Sequence, residues 1–418
     1  LEPKRQWVVQ LVRVRKNKQF VLAKEIAIKV AKIMSNAVKK SEIQRRHFMT
    51  SALAMTGMAA ALSMAGSSVV WGADKKLKYK PLDPVNPDIL FGTTGSIFGV
   101  WPAAGTQTSI SMKMSTNMPM MLADVKHYGL QGFEPYSGQV VQYLDDPLAF
   151  KKLLKESRVQ LASVGDLPRR PSDRTGNTAA PAAAGEAVQY PWLGGNGREK
   201  LITDMEACAR DFLQPLGVDH WKNNMGARPP GGPSDDQLKR LADTANEIGM
   251  RTKKYGVRLS LHAHMWGPME REHDFRRVME LTDPNYVFLI MDTGHNVLGG
   301  MDVVKITDEF FPRITEYHLK DTYPEWRGNK QGPTQEAHRQ KSLYTAVGVG
   351  GGVDFPGVFA VLRKKHFKGW VVFDIDAPRP GDGSGSVDDN IAASVNYLRT
   401  ALGVKLPPAS SKGLFTET

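Results

Sequence analysis

The chain has 418 residues, 41% hydrophobic and 23% charged, so it is long enough for one large core and its composition excludes a disordered or fibrous chain. Its net charge of +12 raises polyanions as partners, but residues 1–73 hold 13 Lys+Arg against 3 Asp+Glu and the remainder is close to neutral. The basic excess therefore belongs to the tail, and the single cysteine, Cys208, excludes an intrachain disulfide and a Cys-rich metal site.

Taken in chain order, the tail comes first. Residues 44–50 read QRRHFMT. An Ala/Met/Gly/Ser-rich, weakly apolar run follows from Ser51 to about Val70, and then polar ADKKLKYK. Twin arginines with Phe48 two places on resemble a twin-arginine export signal. The run has too many Gly and Ser for a good membrane span. We therefore expect residues 34–73 to be an export signal that begins at Met34 and directs the protein to the periplasm, with no stable membrane insertion after cleavage. Residues 1–33 are expected to be a non-native or disordered extension, and residues 74–87 a linker.

From Asp88 a short β-rich run alternates with a helical run eight times. The strands are expected at 88–95, 132–136, 159–165, 218–223, 257–264, 287–292, 314–321 and 370–376. Each is short and rich in Val, Ile, Leu and Phe, as buried parallel strands are. The helices are expected at 117–129, 147–158, 199–216, 235–255, 273–282, 302–311, 354–366 and 388–402. Pro119, Pro147, Ser234-Asp235-Asp236 and Asp354 mark starts, and Gly129, Gly217, Gly256 and Gly369 follow as C-cap glycines. Cys208 reads as a small buried helix residue.

Eight βα units over residues 88–403 predict an α/β fold, a (β/α)8 TIM barrel, ahead of a 404–418 tail. A doubly wound open sheet is the alternative, but no GxGxxG follows the first strand. Residues 166–198 break the rhythm with a long loop insertion on the face where barrels do chemistry; a lid, a partner surface and a plain insertion all fit it.

The inside of a parallel barrel is usually apolar. Here the later strands end in His, Asp and Lys. The fifth carries His262 and His264, which at i, i+2 share a face. The sixth ends in MDTGH, with Asp292 and His295; the seventh in HLKD, with His318, Lys320 and Asp321; the eighth in FDID, with Asp374 and Asp376. The second ends near Glu134. Each alone has an ordinary structural explanation. Together they place costly polar groups at one end of one barrel, and a bound cation is what offsets that cost. His262, Asp292, His318 and Asp374, one per strand, are the expected metal ligands. Imidazole and carboxylate without thiolate suit Mn²⁺ or Co²⁺, with Zn²⁺ and Fe²⁺ also fitting. His264, His295, Lys320 and Glu134 are then left to act on substrate. The loop VGVGGGVDF (347–355) reads either as a source of backbone N–H groups for substrate oxygens, without the Lys-Ser/Thr of a phosphate loop, or as a flexible connection before the seventh helix.

These motifs resemble the xylose isomerase-like barrel superfamily, the sugar phosphate isomerase/epimerase group. The similarity runs from about Asp88 to Gly403. It is strongest in LSLHAHMWGPME, TDPNYVFLIMDTGHNVLGG, ITEYHLKDT, VGGGVDFPGVFAVL and GWVVFDID, and the motifs look most like the inosose dehydratase branch. The resemblance implies a metal held by Glu, Asp, His and Glu from strands five to eight. Asp292 and His318 match the middle pair, while His262 and Asp374 replace the two Glu. Losing the first Glu points away from two-base epimerisation and leaves one-sided proton abstraction. The expected function is a divalent-metal-dependent isomerase/epimerase-type enzyme that removes a proton α to the carbonyl of a keto-sugar or keto-cyclitol. A dehydratase or lyase of the inosose or 3-keto-glycoside type is the alternative, and a catalytically inactive carbohydrate-binding barrel a third. An abasic-site endonuclease, which resembles the same group, needs more ligands and a basic DNA face. No nucleic-acid partner is expected, and oligomerisation is left open.

Overall fold

The computed structural model describes residues 88–100, 113–169 and 190–406. The expected extension, export signal and linker, most of the long loop, and residues 407–418 lie outside the described residues. Among the described residues, no helix is long and apolar enough to cross a membrane.

Eight parallel strands form the barrel: β1 (Ile89–Thr94), β2 (Gly132–Glu134), β3 (Gln160–Leu161), β4 (His220–Asn223), β5 (Arg258–His262), β6 (Val287–Asp292), β7 (Ile314–Leu319) and β8 (Gly369–Phe373). Their order is β3-β2-β1-β8-β7-β6-β5-β4, with the first strand paired to the last. Side chain and loop close the seam between β3 and β4. Ser163 Oγ donates to His220 O (3.2 Å) and accepts from Lys222 N (3.1 Å), and Asp166 N donates to Lys222 O (2.9 Å).

The principal helices follow the strands: α1 (Met118–His127), α2 (Pro147–Ser157), α3 (Arg198–Cys208), α4 (Asp235–Lys253), α5 (Glu272–Leu281), α6 (Val303–Phe310), α7 (Phe355–Lys364) and α8 (Val387–Ala401). Their starts are built as the side chains dictate. Asp146 caps Ala149 N, Ser234 and Gln237 form a capping box, and Asp354 caps Gly357 N. The helix expected to run unbroken over 199–216 instead passes through a π turn, Ala209–Leu213. Pro215 supplies no N–H and crowds the preceding turn, which widens to accept it. Cys208, at the end of α3, is half-buried against the core rather than buried. Gly129, Gly217 and Gly256 take the left-handed conformation after their helices; after α7 that place falls to His366, and Gly369 opens β8.

Outward strand residues such as Phe91, Leu261, Met291, Tyr317 and Phe373 pack against the helices in one continuous core. At 25 cal/mol per Å² of apolar surface, that layer is the main stabilising term. The inward side departs from the expectation. Polar residues are not confined to strand ends, since His220 opens β4 and Glu316 lies midway along β7, both buried. A β-bulge explains the phase of β7. Leu289 pairs with Ile314 but Ile290 with Glu316, so Thr315 is the extra residue. Beyond it Glu316, His318 and Lys320 alternate inward and Tyr317 and Leu319 outward.

Glu316 and His220 form a buried ion pair at 2.6 Å, and His220 Nδ1 lies 2.6 Å from the exposed Asp219. Burial alone lowers the pKa of an imidazole. Here hydrogen bonds to Asp219 and Glu316 outweigh it and push His220 up to about 9 from 6.5. The charged imidazole thus stabilises the fold fully below pH 6.5, and its contribution is lost as pH rises through about 9. His220→Gln is expected to lower stability and to flatten the alkaline fall of the stability–pH curve, read from urea midpoints at about pH 6 and about pH 10. An unchanged alkaline fall in the variant would refute the charged pair.

Candidate metal and acid–base centre

The polar ends of β5 to β8 converge. His262, Asp292, His295 and Asp374 are all buried, and each can offer a ligand atom within 4.8 Å of the others. Four buried atoms near this point have no hydrogen-bond partner: His262 Nε2, Asp292 Oδ2, His295 Nε2 and His318 Nδ1. Imidazole nitrogens and a carboxylate oxygen left without partners, as at His262 Nε2, Asp292 Oδ2 and His318 Nδ1, are what a divalent cation satisfies, so the residues present fit one.

The supporting contacts fix which atom of each residue is free. Asn224 Nδ2 donates to Asp166 Oδ2 (3.0 Å), so its Oδ1 accepts from His262 Nδ1 (2.8 Å) and leaves the lone pair on His262 Nε2. Asp166 holds this contact from a left-handed backbone, φ 64°. Asp292 Oδ1 caps His295 N (2.7 Å), freeing Oδ2. Asp374 Oδ1 accepts from Thr94 Oγ1 (3.0 Å) and Ser96 Oγ (3.1 Å), leaving Oδ2 toward His318 and Lys320. The rest of the DTGH motif is architectural. Thr293 Oγ1 donates to Lys320 O (2.8 Å) and binds β6 to β7. A Cβ at Gly294 would stand 2.9 Å from Lys320 O, so only glycine lets the strands approach this closely.

His318 lies between two groups of carboxylates. Its Nδ1 is 3.4 Å from Asp374 and 3.9 Å from Asp292. Its Nε2 is 3.3 Å from both Glu134 and Glu316, with which it forms a second buried cluster. Burial opposes its charge, but the carboxylates around it hold its pKa well above the ordinary range, and a cation held at Nδ1 would take the place of the proton there. Burial, then the nearby Glu316 charge, pushes Glu134 up to about 7; burial, then Asp374, does the same to Asp292.

The structure brings together all eight residues expected to form the site, but not in the expected grouping. By mutual distance His295 joins His262, Asp292 and Asp374, whereas His318 shares its other face with Glu134. Glu134 is therefore placed to orient His318 from the ring nitrogen remote from Asp292 and Asp374. Lys320 Nζ is 2.9 Å from Asp376 and 4.4 Å above the Tyr344 ring. Burial works against its charge, yet Asp374, Asp376 and Asp292 keep its pKa above the ordinary lysine range, so Lys320 is held as an ammonium and is not the base.

The His264 and His295 rings are 3.8 Å apart between centroids. His264 Nδ1 donates to Met265 O (2.7 Å), which leaves Nε2 as acceptor. His295 Nδ1 accepts from Met265 N (3.3 Å), which leaves Nε2 carrying the proton. The two neutral rings present opposite faces of the same chemistry, one accepting and one donating. Burial pushes His264 down to about 4 and His295 well below its usual range.

Glu316, Tyr344 and Asn224 were not legible as site residues. Tyr344 OH lies 2.8 Å from His295 Nδ1, from a segment with no strand signal. Only the i, i+2 relation of Glu316 to His318 pointed to a shared face. The glycine-rich loop is also put to a different use than expected. The carboxylate of Asp321 accepts from the N–H groups of Gly348, Gly351 and Val353 at 3.0–3.1 Å. Those donors are engaged within the chain and not offered to substrate.

A parallel eight-stranded barrel that gathers buried His and Asp side chains at the C-terminal ends of its strands has the architecture of the barrel enzymes, whose active sites lie on that face. A family model described as xylose isomerase-like TIM barrel matches residues 122–401, and the chain belongs to that family. It is similar to the inosose dehydratase of Mesomycoplasma hyopneumoniae (strain 7448), 28% identical over 145 residues, covering 34% of this chain and 48% of that protein. The inosose dehydratase of Lacticaseibacillus casei is 28% identical over 152 residues, with the same coverage. The chain thus spans about half the length of these relatives. Among solved structures it shares the fold of the IOLI protein with a binding zinc atom (TM-score 0.52, 15% identity, 75% of this chain and 98% of that one). A D-tagatose 3-epimerase-like protein is comparable (TM-score 0.51, 13% identity, 75% and 97%).

Proposed function

We propose that this protein is an exported, divalent-metal-dependent enzyme that removes a proton α to the carbonyl of a keto-sugar or keto-cyclitol, leading to isomerisation or to loss of a β-substituent. The observation that carries the reading is the set of orphaned atoms, His262 Nε2, Asp292 Oδ2 and His318 Nδ1, around one point beside Asp374, next to an unprotonated His264 Nε2. His262, Asp292, His318 and Asp374 would hold the ion, Mn²⁺ or Co²⁺ by donor type. When bound, the ion supplies Lewis-acid stabilisation of the negative charge that develops on the carbonyl oxygen.

The remaining roles follow from the protonation states. His264 Nε2 takes the α-proton, and the electrons of the broken C–H bond form the C=C of the enolate. His295 Nε2–H donates to a substrate oxygen and orients it. The protonated His264 returns that proton, either to the neighbouring carbon or to a β-hydroxyl that departs as water, while the Lys320 ammonium, held by Asp376, donates a hydrogen bond to a substrate oxygen. Base and donor lie side by side, which supports single-face chemistry over two-base epimerisation. The name of the inosose dehydratase relatives supports the elimination outcome, and the twin-arginine-like tail supports a periplasmic enzyme acting on free or glycosidic sugars.

The test is incubation of the Mn²⁺-loaded protein in D2O with ketoses, 3-keto-glucosides and inososes, followed by proton NMR. Loss or exchange of one α-proton is the expected result, and the product spectrum assigns isomerase or lyase. Absence of exchange across the panel, with metal bound, would count against the enolate chemistry.

A further inference from the structure

Among the described residues, the roles above leave the buried cation of Lys222 unexplained. Lys222, on β4, is fully buried, and its Nζ has no hydrogen-bond partner. Its close contact is the face of the Tyr136 ring, 4.5 Å from Nζ. The other deeply buried lysine of the barrel, Lys320, shows the ordinary arrangement, paired to Asp376 at 2.9 Å. An ammonium has three donors, and burying it without an acceptor costs several kcal/mol. A packed barrel retains such a group where a ligand completes it.

The position of Lys222 says which ligand. It lies inward on the strand next to β5, level with Ser260, near enough to His262 and His264 for its charge to bear on both, and near Glu134, two strands away on its other side. Tyr136, which it covers, in turn lies close to Asp374 and Asp376. The free ammonium therefore borders the space that the metal ligands and the base share.

We propose that Lys222 is a substrate-contacting residue, donating a hydrogen bond to an oxygen of the bound keto compound that carries negative charge in the enediolate. The assignment rests on the enolate reading above and adds to it a further anchor for the reacting oxygens.

Oxalate, a planar dianion with the oxygen pattern of an enediolate, is the probe. Calorimetry on the Mn²⁺-loaded full chain is expected to show oxalate bound by the wild type and about 10- to 100-fold more weakly by Lys222→Met, the loss for one charge-assisted hydrogen bond. Lys222→Gln, which keeps a donor without the charge, is expected to fall between. Metal content is expected to be unchanged, and the metal-free Lys222→Met protein to melt no lower than wild type, because an unsatisfied ammonium has been removed. Equal oxalate affinity in wild type and Lys222→Met overturns the proposal. So does a wild type that binds no oxalate, and so does a Lys222→Met protein that melts well below wild type, which would mark a structural lysine. A wild type that binds oxalate through Lys222 but exchanges no α-proton counts against the enolate reading alone.

Discussion

Replacing His318 with alanine is expected to abolish stoichiometric metal binding and turnover, and to cost the metal-free barrel about 3–5 kcal/mol of stability. The sequence motif alone suggests a ligand whose loss leaves the fold untouched. The geometry adds a second consequence. His318 is the imidazole that separates Glu134 and Glu316 on one side from Asp292 and Asp374 on the other, at 3.3–3.9 Å from each. Without it four buried carboxylates face an apolar gap, and some must take up protons to remain buried. Metal analysis, turnover and urea denaturation of the metal-free variant read the three effects separately. Full metal occupancy and wild-type turnover in His318→Ala would refute the ligand assignment. Wild-type stability without metal would instead refute the role of His318 as the charge that holds the carboxylates together.

His264→Ala is expected to behave in the opposite way. His264 is half-buried at the mouth of β5, and its polar contact is its own neighbour's carbonyl, Met265 O. Its removal leaves the ligand atoms of His262, Asp292, His318 and Asp374 in place, so metal content and melting temperature should remain near wild type. Deuterium exchange at the α-carbon should fall by about 10²–10⁴-fold, the usual contribution of a positioned general base. Exchange at the wild-type rate would move the base elsewhere. His295 is the next nearest candidate, yet its Nδ1 lone pair is engaged by the Met265 N–H and faces the Tyr344 hydroxyl, so no lone pair is turned to substrate. The pair of variants thus separates metal from proton transfer, which share a site only a few ångströms across.

Much of this protein was readable from sequence because the signals are local. Most barrel strands are short apolar runs bounded by turn residues, and several helix starts carry their own cap, as at Asp146, Ser234 and Asp354. The eightfold alternation then restricts the architecture to a barrel. The residues at the ends of β5 to β8 were legible for the same reason. A strand end is recognisable in one dimension, and barrel strand ends share one face.

What the sequence did not determine is the pairing of groups across the barrel. His220 and Glu316 are 96 residues apart and meet only because the sheet closes. Glu316 faces inward because Thr315 is bulged, and one residue of slip reverses every side chain beyond it. The division of labour among the histidines depends on single hydrogen bonds from elsewhere in the chain: Asn224 to His262, Met265 O to His264, Met265 N to His295. Asp321 closes the glycine-rich loop on itself by the same kind of contact. Residue type and periodicity specify which groups reach the strand ends. Proton positions and charge balance are set by distances of about 3 Å between segments far apart in sequence, and these exist only once the tertiary structure has formed.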